Sequence, residues 1–338
     1  MTITDEQQLV TPTGRLVLPA DSPRGEWLAA RRRGIGGSDA LAVLGMSPYG
    51  SRYSVWADKR GLLREQDDRE AMFWGRRLEP VIAAEFTERT GIPAVACGLM
   101  QHETREWQLA SVDRLTADDG VLEIKTTSQY LASDWDDEQV ADAAEAQLQH
   151  YLAVTGYEHG YAAALIGGQR LEIRHVVRDE RLIKVLVDAE AELWQMVLDD
   201  TAPAMDGSAA SLKALAELYP TAADRKVALD AETVAKLRRY EAWTQEETAL
   251  KKAKSAPRAD VCGALKDATV GTWNGREVVT WKNTGDFNAA AFTEAHPKLA
   301  AACAKTVLDE QAVRTRHPEL YAAFRGRRFH VVKKGLAA

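Results

Sequence analysis

The sequence predicts an α/β (α+β) chain: a mixed β-sheet core flanked by helices, followed by a smaller C-terminal domain of helices and one β-hairpin. Three observations carry that expectation. Residues 107–125 and 161–177 each hold two strand-like runs around a turn, Asp118-Asp119-Gly120 in the first and Gly167-Gly168 in the second, which is the pattern of β-hairpins. Apolar residues at helical spacing follow, with Leu182, Leu186, Leu193 and Val197 on one side of a run from Glu180 to Leu198. The chain has 338 residues, 46% of them hydrophobic, enough for one sizeable core and a second small domain.

In chain order, residues 1–22 read as an N-terminal tail. Gly34 to Gly37 then relieve the backbone of Cβ clashes, and Ser38-Asp39 before Leu41, Val43 and Leu44 is a helix N-cap signal. N–H groups at such a start can face a phosphate, or simply begin a capped helix with no ligand. The run Arg31-Arg32-Arg33 reads on its own as a solvated helix end. Glu79 precedes Pro80, a residue tolerated in a first helical turn, and Val81, Ile82 and Phe86 make an apolar stripe ending at Gly91. A first-turn glutamate by itself complements the helix dipole.

The next hairpin carries chemistry. Leu109, Ser111 and Val112 lead into Asp113, and Val121-Leu122-Glu123-Ile124-Lys125 alternates apolar with charged residues. Side chains of a strand repeat every two residues, so Glu123 and Lys125 share one face while Leu122 and Ile124 turn to the core. Further on, Gln147 and Tyr151 fall four apart on a helix running to Gly156. In the 161–177 hairpin, Glu172 and Arg174 share a face opposite Leu171 and Ile173. Residues 201–211, rich in Ala, Pro, Gly and Ser, mark a linker. A charged helix from Ala231 to Lys254 follows, then a hairpin over 270–281 with an Asn274-Gly275 turn. Trp273 and Trp281 flank that turn as a cross-strand aromatic pair, for packing or for base stacking. The expected division is therefore a tail (1–22), a main domain (23–200), a linker (201–228) and an accessory domain (229–338) for DNA binding or oligomerisation.

Two carboxylates and a lysine converging at one strand end suit phosphodiester hydrolysis. Mg²⁺ demands oxygen ligands, is held by one or two protein carboxylates, and completes its shell with water and phosphate. Asp113 and Glu123 are the expected ligands, with the Ile124 carbonyl as a further oxygen donor. Lys125 could orient or deprotonate the attacking water, or neutralise charge in the transition state, with burial near cations expected to lower its pKa. Spacing alone leaves another reading open, since a Glu and a Lys on an exposed strand face are also a plain solvated pair.

Composition sets bounds. Net charge is −7, which by itself argues against a nucleic-acid partner. The residues Arg314, Arg316, Arg325, Arg327, Arg328, Lys333 and Lys334 cluster at the end with Glu319 as the single acid among them, a basic patch or a solvated tail. Cys97, Cys262 and Cys303 lack metal or redox spacing and are expected as buried free thiols of a reducing compartment, with no iron–sulfur cluster. The N-terminal residues have no export pattern, and no apolar run is long enough to span a bilayer. A cytoplasmic protein without a membrane partner is the expectation.

Four segments in order resemble the YqaJ-type viral recombinase family, a lambda-exonuclease-like branch of the PD-(D/E)XK nucleases. They are Trp27 to Gly45 with Ser47-Pro48-Tyr49; Trp74-Gly75 to Glu79-Pro80; Asp113 with Glu123-Ile124-Lys125; and Ala146-Gln147 to Tyr151-Leu152. The likeness spans about residues 23 to 200. It implies a restriction-endonuclease-like core and places Glu79 near the metal. It puts Gln147 against water at the metal or the scissile strand, and Arg31 with Ser38 at the 5′-terminal phosphate. It further implies a Mg²⁺-dependent exodeoxyribonuclease, with Mn²⁺ able to substitute. Such an enzyme degrades the 5′-ended strand of linear duplex DNA in a bacterial host, leaving 3′ single strands for recombination. A single-strand annealing protein and a trimeric ring are the implied partners. Another nuclease of the same fold, or a silent DNA-end-binding module, are the alternatives. Arg114 departs from the family pattern, which has glycine after the aspartate, so the local turn there is in question.

Overall fold

The structure, a computed structural model, describes residues 11–64, 69–282, 289–304 and 307–325. Arg327, Arg328, Lys333 and Lys334 of the basic tail lie outside the described residues. The chain forms two units, Met1–Pro220 and Thr221–Ala338.

In the first unit, strand β1 spans Gly14–Pro19, helix α1 Arg24–Arg31, and strand β2 Ile35–Gly36. A 3-10 turn at Gly37–Asp39 runs into α2 (Ala40–Val43), followed by α3 (Arg52–Lys59) and α4 (Glu70–Thr90). Then come β3 (Ala94–His102), β4 (Gln108–Thr116), β5 (Gly120–Thr127), α5 (Asp142–Thr155), β6 (His159–Ile166), β7 (Arg170–Val177), α6 (Glu180–Leu198) and α7 (Ala209–Leu218). The sheet is mixed, in the order β1-β3-β4-β5-β6-β7, with β2 on β4. β5 and β6 run parallel because α5 connects them as a crossover, whereas the tight turns at 117–119 and 167–169 fold their strands back antiparallel.

Helices cover both faces. On one, Ile82 and Phe86 of α4 pack on Leu122 and Ala163. On the other, Leu148, Tyr151 and Leu152 of α5 pack with Val112, Val121 and Ala162. Full burial of each large apolar side chain is worth about 1.5–3 kcal/mol, so the two layers fix the strand register.

One break in the ladder positions the site. β4 and β5 pair at Arg114↔Leu122, Leu115↔Val121 and Thr116↔Gly120, and the pairing stops there. Nearer the start of β4, its β5-facing edge is taken by β2, through Ile35↔Gln108 and Gly36↔Leu109, because β3 holds the other edge. β5 meanwhile stays on β6 as far as Thr127↔Ile166. The two strands part, with Asp113 and Glu123 on the lips of the gap.

Several expectations need correction. The tail at 1–22 contains β1, which pairs antiparallel with β3 and packs Leu16 against the core; the pairing is long-range and leaves no local mark. Glu79 and Pro80 are not in a first turn, because α4 starts at Glu70. Burial of Ile82, Ala83 and Phe86 outweighs the roughly 3 kcal/mol that an interior proline costs. No turn exists at Arg114, which continues β4. The linker at 201–228 holds α7, tied to α3 by the Ser211 hydroxyl on that of Ser51 at 2.8 Å.

The second unit carries α8 (Ala231–Leu265), which runs through Pro257 past the expected end at Lys254, and the hairpin β8 (Val270–Trp273) and β9 (Arg276–Thr280). Asn274 and Gly275, at φ 50° and 77°, make the expected turn. Trp273 faces Arg276 in the register, and Trp281 donates its N–H to Thr269, so the two tryptophans are not cross-strand partners. Short helices α9 (Ala289–Ala295), α10 (Pro297–Ala302), α11 (Glu310–Arg316) and α12 (Pro318–Ala323) follow. Of the three thiols only Cys97 is buried; Cys262 is half-buried and Cys303 exposed.

A buried polar network clamps β4 between α5 and α6. His150 bonds Glu190 through Nδ1 at 2.7 Å and the Leu109 carbonyl through Nε2 at 2.7 Å. Both partners are acceptors, so both ring nitrogens carry protons and the ring is an imidazolium. Burial opposes that charge, but the Glu190 carboxylate outweighs it and lifts the His150 pKa. The Gln108 amide donates to the other Glu190 oxygen at 2.9 Å. His150→Ala should cost about 3–5 kcal/mol, the range for breaking a buried charged pair, read as a lower urea midpoint. A raised histidine pKa contributes stability fully below the unfolded value of about 6.5 and loses it as pH climbs through the folded one. The wild-type midpoint should therefore fall on the alkaline side, and the variant should lack that component; parallel pH profiles would reject it.

Candidate active site

Where β4 and β5 part, Asp113 replaces the missing ladder. Its Oδ2 accepts the Ile124 N–H at 2.8 Å. A residue's N–H and C=O lie along the same strand edge, so the Ile124 carbonyl opens on this gap as well. Glu123, 1% exposed, accepts from the Lys125 ammonium through Oε1 at 2.5 Å. Its Oε2 is buried and has no hydrogen-bond partner. Lys125 also donates to Gln147 Oε1 at 2.8 Å, Gln147 Nε2 donates to the Tyr151 hydroxyl at 2.7 Å, and that hydroxyl donates to the Ser111 carbonyl at 2.6 Å. Helical i, i+4 spacing thus makes Gln147 and Tyr151 one relay from the lysine back to β4.

From the opposite side, α4 supplies Glu79. Its Oε1 accepts from Arg114 Nη1 at 2.5 Å, and the same Nη1 reaches the Asp113 carbonyl at 2.5 Å. Burial and then the like charges of Glu123 and Glu79 hold the Asp113 carboxyl well above the usual carboxylate range. Burial also raises Glu123, against the pull of Lys125. The lysine moves opposite to expectation: burial disfavours its charge, but Glu123 and Asp113 more than compensate and raise its pKa. Lys125 is an ammonium here because its neighbours are carboxylates, not cations.

The Gly37 segment closes the site. A Cβ on Gly37 would lie 2.6 Å from Tyr151 Cε1 and 3.0 Å from Gln147 Cγ, so glycine lets this turn seat on the relay. Ser38 follows, exposed, and its hydroxyl accepts from Arg31 Nη2 at 2.6 Å. The Arg31 guanidinium lies over the Trp27 ring at 4.7 Å. Beneath it the buried Lys59 pairs with Asp39 at 2.7 Å and donates to the Arg31 carbonyl at 3.3 Å. Asp39 also accepts the Gly36 N–H. Burial raises the Asp39 carboxyl, but Lys59 and Arg31 together leave it below its ordinary value.

The structure brings Asp113, Glu123, Ile124, Lys125, Gln147 and Glu79 to one gap, with Arg31 and Ser38 beside Gln147 and Tyr151. Sequence reasoning missed the roles of Arg114 and Lys59. Lys59 had a signal, since it continues the three-residue spacing of Tyr53 and Trp56 on a buried helix face.

Among the described residues no group of three His, Cys, Asp or Glu side chains is placed to hold a metal. The Asp113 and Glu123 pair still fits a hard divalent cation. Glu123 offers a buried oxygen beside the Asp113 carboxyl that no N–H or hydroxyl donor reaches, both carboxyls are destabilised as anions, and Mg²⁺ needs only one or two protein carboxylates.

A mixed sheet flanked by helices, with an Asp…Glu-x-Lys cluster where two strands separate, defines the class of protein. Within it, the chain belongs to the YqaJ-like viral recombinase family. The profile of the YqaJ-like viral recombinase domain matches residues 26–158. The protein YqaJ of Bacillus subtilis is 33% identical over 270 residues, 78% of this chain and 84% of the relative. An African swine fever virus protein is 42% identical over 64 residues, 18% of this chain and 19% of that protein. Among solved structures, an alkaline exonuclease from Laribacter hongkongensis superposes with a TM-score of 0.45 at 21% identity, covering 52% of this chain and 93% of that one.

Raised carboxyl pKa values have a stability consequence. The contribution of such a group is fully present below its unfolded value, about 4, and is lost as pH rises through the folded one. Above that value the two raised carboxyls therefore make the folded chain less stable when no ion is bound. In chelator, Asp113→Asn should melt above wild type, by roughly 2–4 °C per kcal/mol relieved. Adding Mg²⁺ should raise the wild-type melting temperature and leave the variant unmoved. Equal responses of the two proteins would contradict this site.

Proposed function

We propose that this protein is a phage-type, Mg²⁺-dependent exodeoxyribonuclease that degrades the 5′-ended strand of linear double-stranded DNA and leaves 3′ single strands for recombination. The observation that carries the reading is the buried Glu123 oxygen without a partner, beside Asp113 and Lys125. Membership of a viral recombinase family supports the DNA substrate. Asp113 and Glu123 would hold the ion, with the Ile124 carbonyl as a third oxygen. A bound divalent ion supplies Lewis-acid polarisation of the scissile phosphate and lowers the pKa of water; Mn²⁺ could serve as well.

The chain's own residues do the positioning. Lys125, an ammonium held by Gln147, orients the nucleophilic water and neutralises charge gathering on the phosphate oxygens. Gln147 fixes Lys125 and is itself fixed by Tyr151. Glu79 sets the local field from α4. Arg31 offers a planar fork of donors to a terminal phosphate, a geometry suited to bidentate binding. Ser38 bonds its guanidinium and Trp27 underlies it. Family membership further suggests a trimeric ring on the duplex and a single-strand annealing partner. The second unit, with exposed Arg314 and Arg316 on α11, would serve as a grip on DNA or in assembly.

Incubation of linear duplex, labelled at either end, with Mg²⁺ tests the reading. Wild type should release the 5′ label as mononucleotides. Lys125→Ala and Glu123→Ala should each lose at least about 10²-fold in rate, as for removal of an electrostatic catalytic group. Arg31→Ala should weaken the preference for a 5′-phosphorylated over a 5′-hydroxyl end while sparing the metal response. Cleavage that survives both site substitutions would sink the proposal. Attack on closed circles or release of the 3′ label would point to another nuclease, and binding without cleavage to a silent end-binder.

A further inference from the structure

We infer that Arg114 is a built-in cation that takes the place of a second divalent ion, so that this site works with one ion on Asp113 and Glu123. The inference rests on the nuclease reading above and deepens it. Two-ion phosphodiester centres place their cations about 3.5–4 Å apart and need acids enough to hold both. Here one oxygen of the third acid faces a fixed cation. Glu79 gives Oε1 to Arg114 Nη1 at 2.5 Å, and that nitrogen is anchored a second time on the Asp113 carbonyl. The guanidinium side chain is only 13% exposed, so it is a fixed part of the gap and not a solvent-facing arm.

Charge counting agrees. Counted by formal charge, Asp113, Glu123 and Glu79 bring three negative charges, and Lys125 and Arg114 two positive ones, which leaves −1. One divalent ion takes the cluster to +1, a balance that a single phosphodiester charge neutralises. A second would take it to +3 in a largely desolvated gap, a repulsion that surrounding protein screens poorly. Arg114 also opens a role at the phosphate, because guanidinium presents five donors in a fixed fork and a single Nη1 serves both Glu79 and the carbonyl.

Counting bound Mn²⁺ by electron paramagnetic resonance on the full chain, without DNA, tests this independently of turnover. Wild type should bind one ion per chain, Asp113→Asn none, and Arg114→Gln two, with Glu79→Gln added to Arg114→Gln restoring one. Glu79→Gln alone should keep one ion with affinity changed by less than about tenfold, below what the loss of a ligand or its support costs. Two ions in wild type, or a single ion in Arg114→Gln, overturns the inference while leaving the nuclease reading standing. Should Arg114→Gln fail to fold by circular dichroism, Glu79→Gln decides alone: loss of the ion shows that Glu79 is a ligand and overturns it. A wild type that binds no Mn²⁺ and cleaves no DNA refutes the nuclease reading and this inference together.

Discussion

The parting of β4 from β5 is the constraint on which the site depends. β2 occupies the edge of β4 that β5 would otherwise continue along, and the ladder cannot close over Asp113 and Glu123. Two carboxylates are thereby left in a gap that is buried but not filled by main chain. Unit charges about 4 Å apart near a protein surface repel by about 4 kcal/mol, more than the burial of a leucine returns. The cost is met by the two helical layers, whose apolar contacts hold the strands regardless of what the gap contains. The fold therefore holds two acids whose ionisation is disfavoured by burial and by each other, an arrangement that a bound cation would relieve.

Each neighbouring element answers a demand of that gap. The Ile124 N–H, deprived of its strand partner, is satisfied by Asp113, and the Ser111 carbonyl by Tyr151. The groups that complete the backbone hydrogen bonding are thus the groups that orient the acids and the lysine. Gly37 carries the arginine-bearing segment onto the same relay, because any side chain there would meet Tyr151. Beneath it, Lys59 and Asp39 lock the turn from the core side. Structural and chemical roles coincide along this line, so the positions are poor candidates for neutral substitution.

Much of this was legible in the sequence, and what was not has physical causes. The hairpins, the helix at Glu180–Leu198 and the Gly91 and Gly156 stops follow from periodicity and turn chemistry, which are local. The face-sharing of Glu123 and Lys125 follows from the period of a strand. By contrast, β1 exists only through its pairing with β3, and α4 begins ahead of Pro80 through burial of its far half. Both are tertiary effects with no local signature. The sign of the Lys125 shift is not legible for a related reason: burial shows in the pattern, but which charges surround the ammonium depends on how the strands separate. In the sequence Arg114 shows only as a departure at a supposed turn. It is a strand residue whose side chain crosses to Glu79 on α4, thirty-five positions earlier in the chain.

The anomaly is the more informative for that. A glycine after Asp113 would leave Glu79 without its guanidinium and the gap with one cation fewer, so the acid on α4 would be free to take a metal. With arginine, the same acid is neutralised by the protein itself, through a bond that also ties down the Asp113 backbone. A covalently tethered cation differs from an ion in two respects: it cannot be lost to dilution or chelation, and its charge is single and directional. Electrostatic support from Arg114 is consequently present before any ion arrives. The acids at the gap are then unequal, with Glu79 facing a fixed guanidinium and Glu123 holding a buried open oxygen. Under the one-ion proposal that inequality, set by one residue on β4, directs a divalent ion to Asp113 and Glu123.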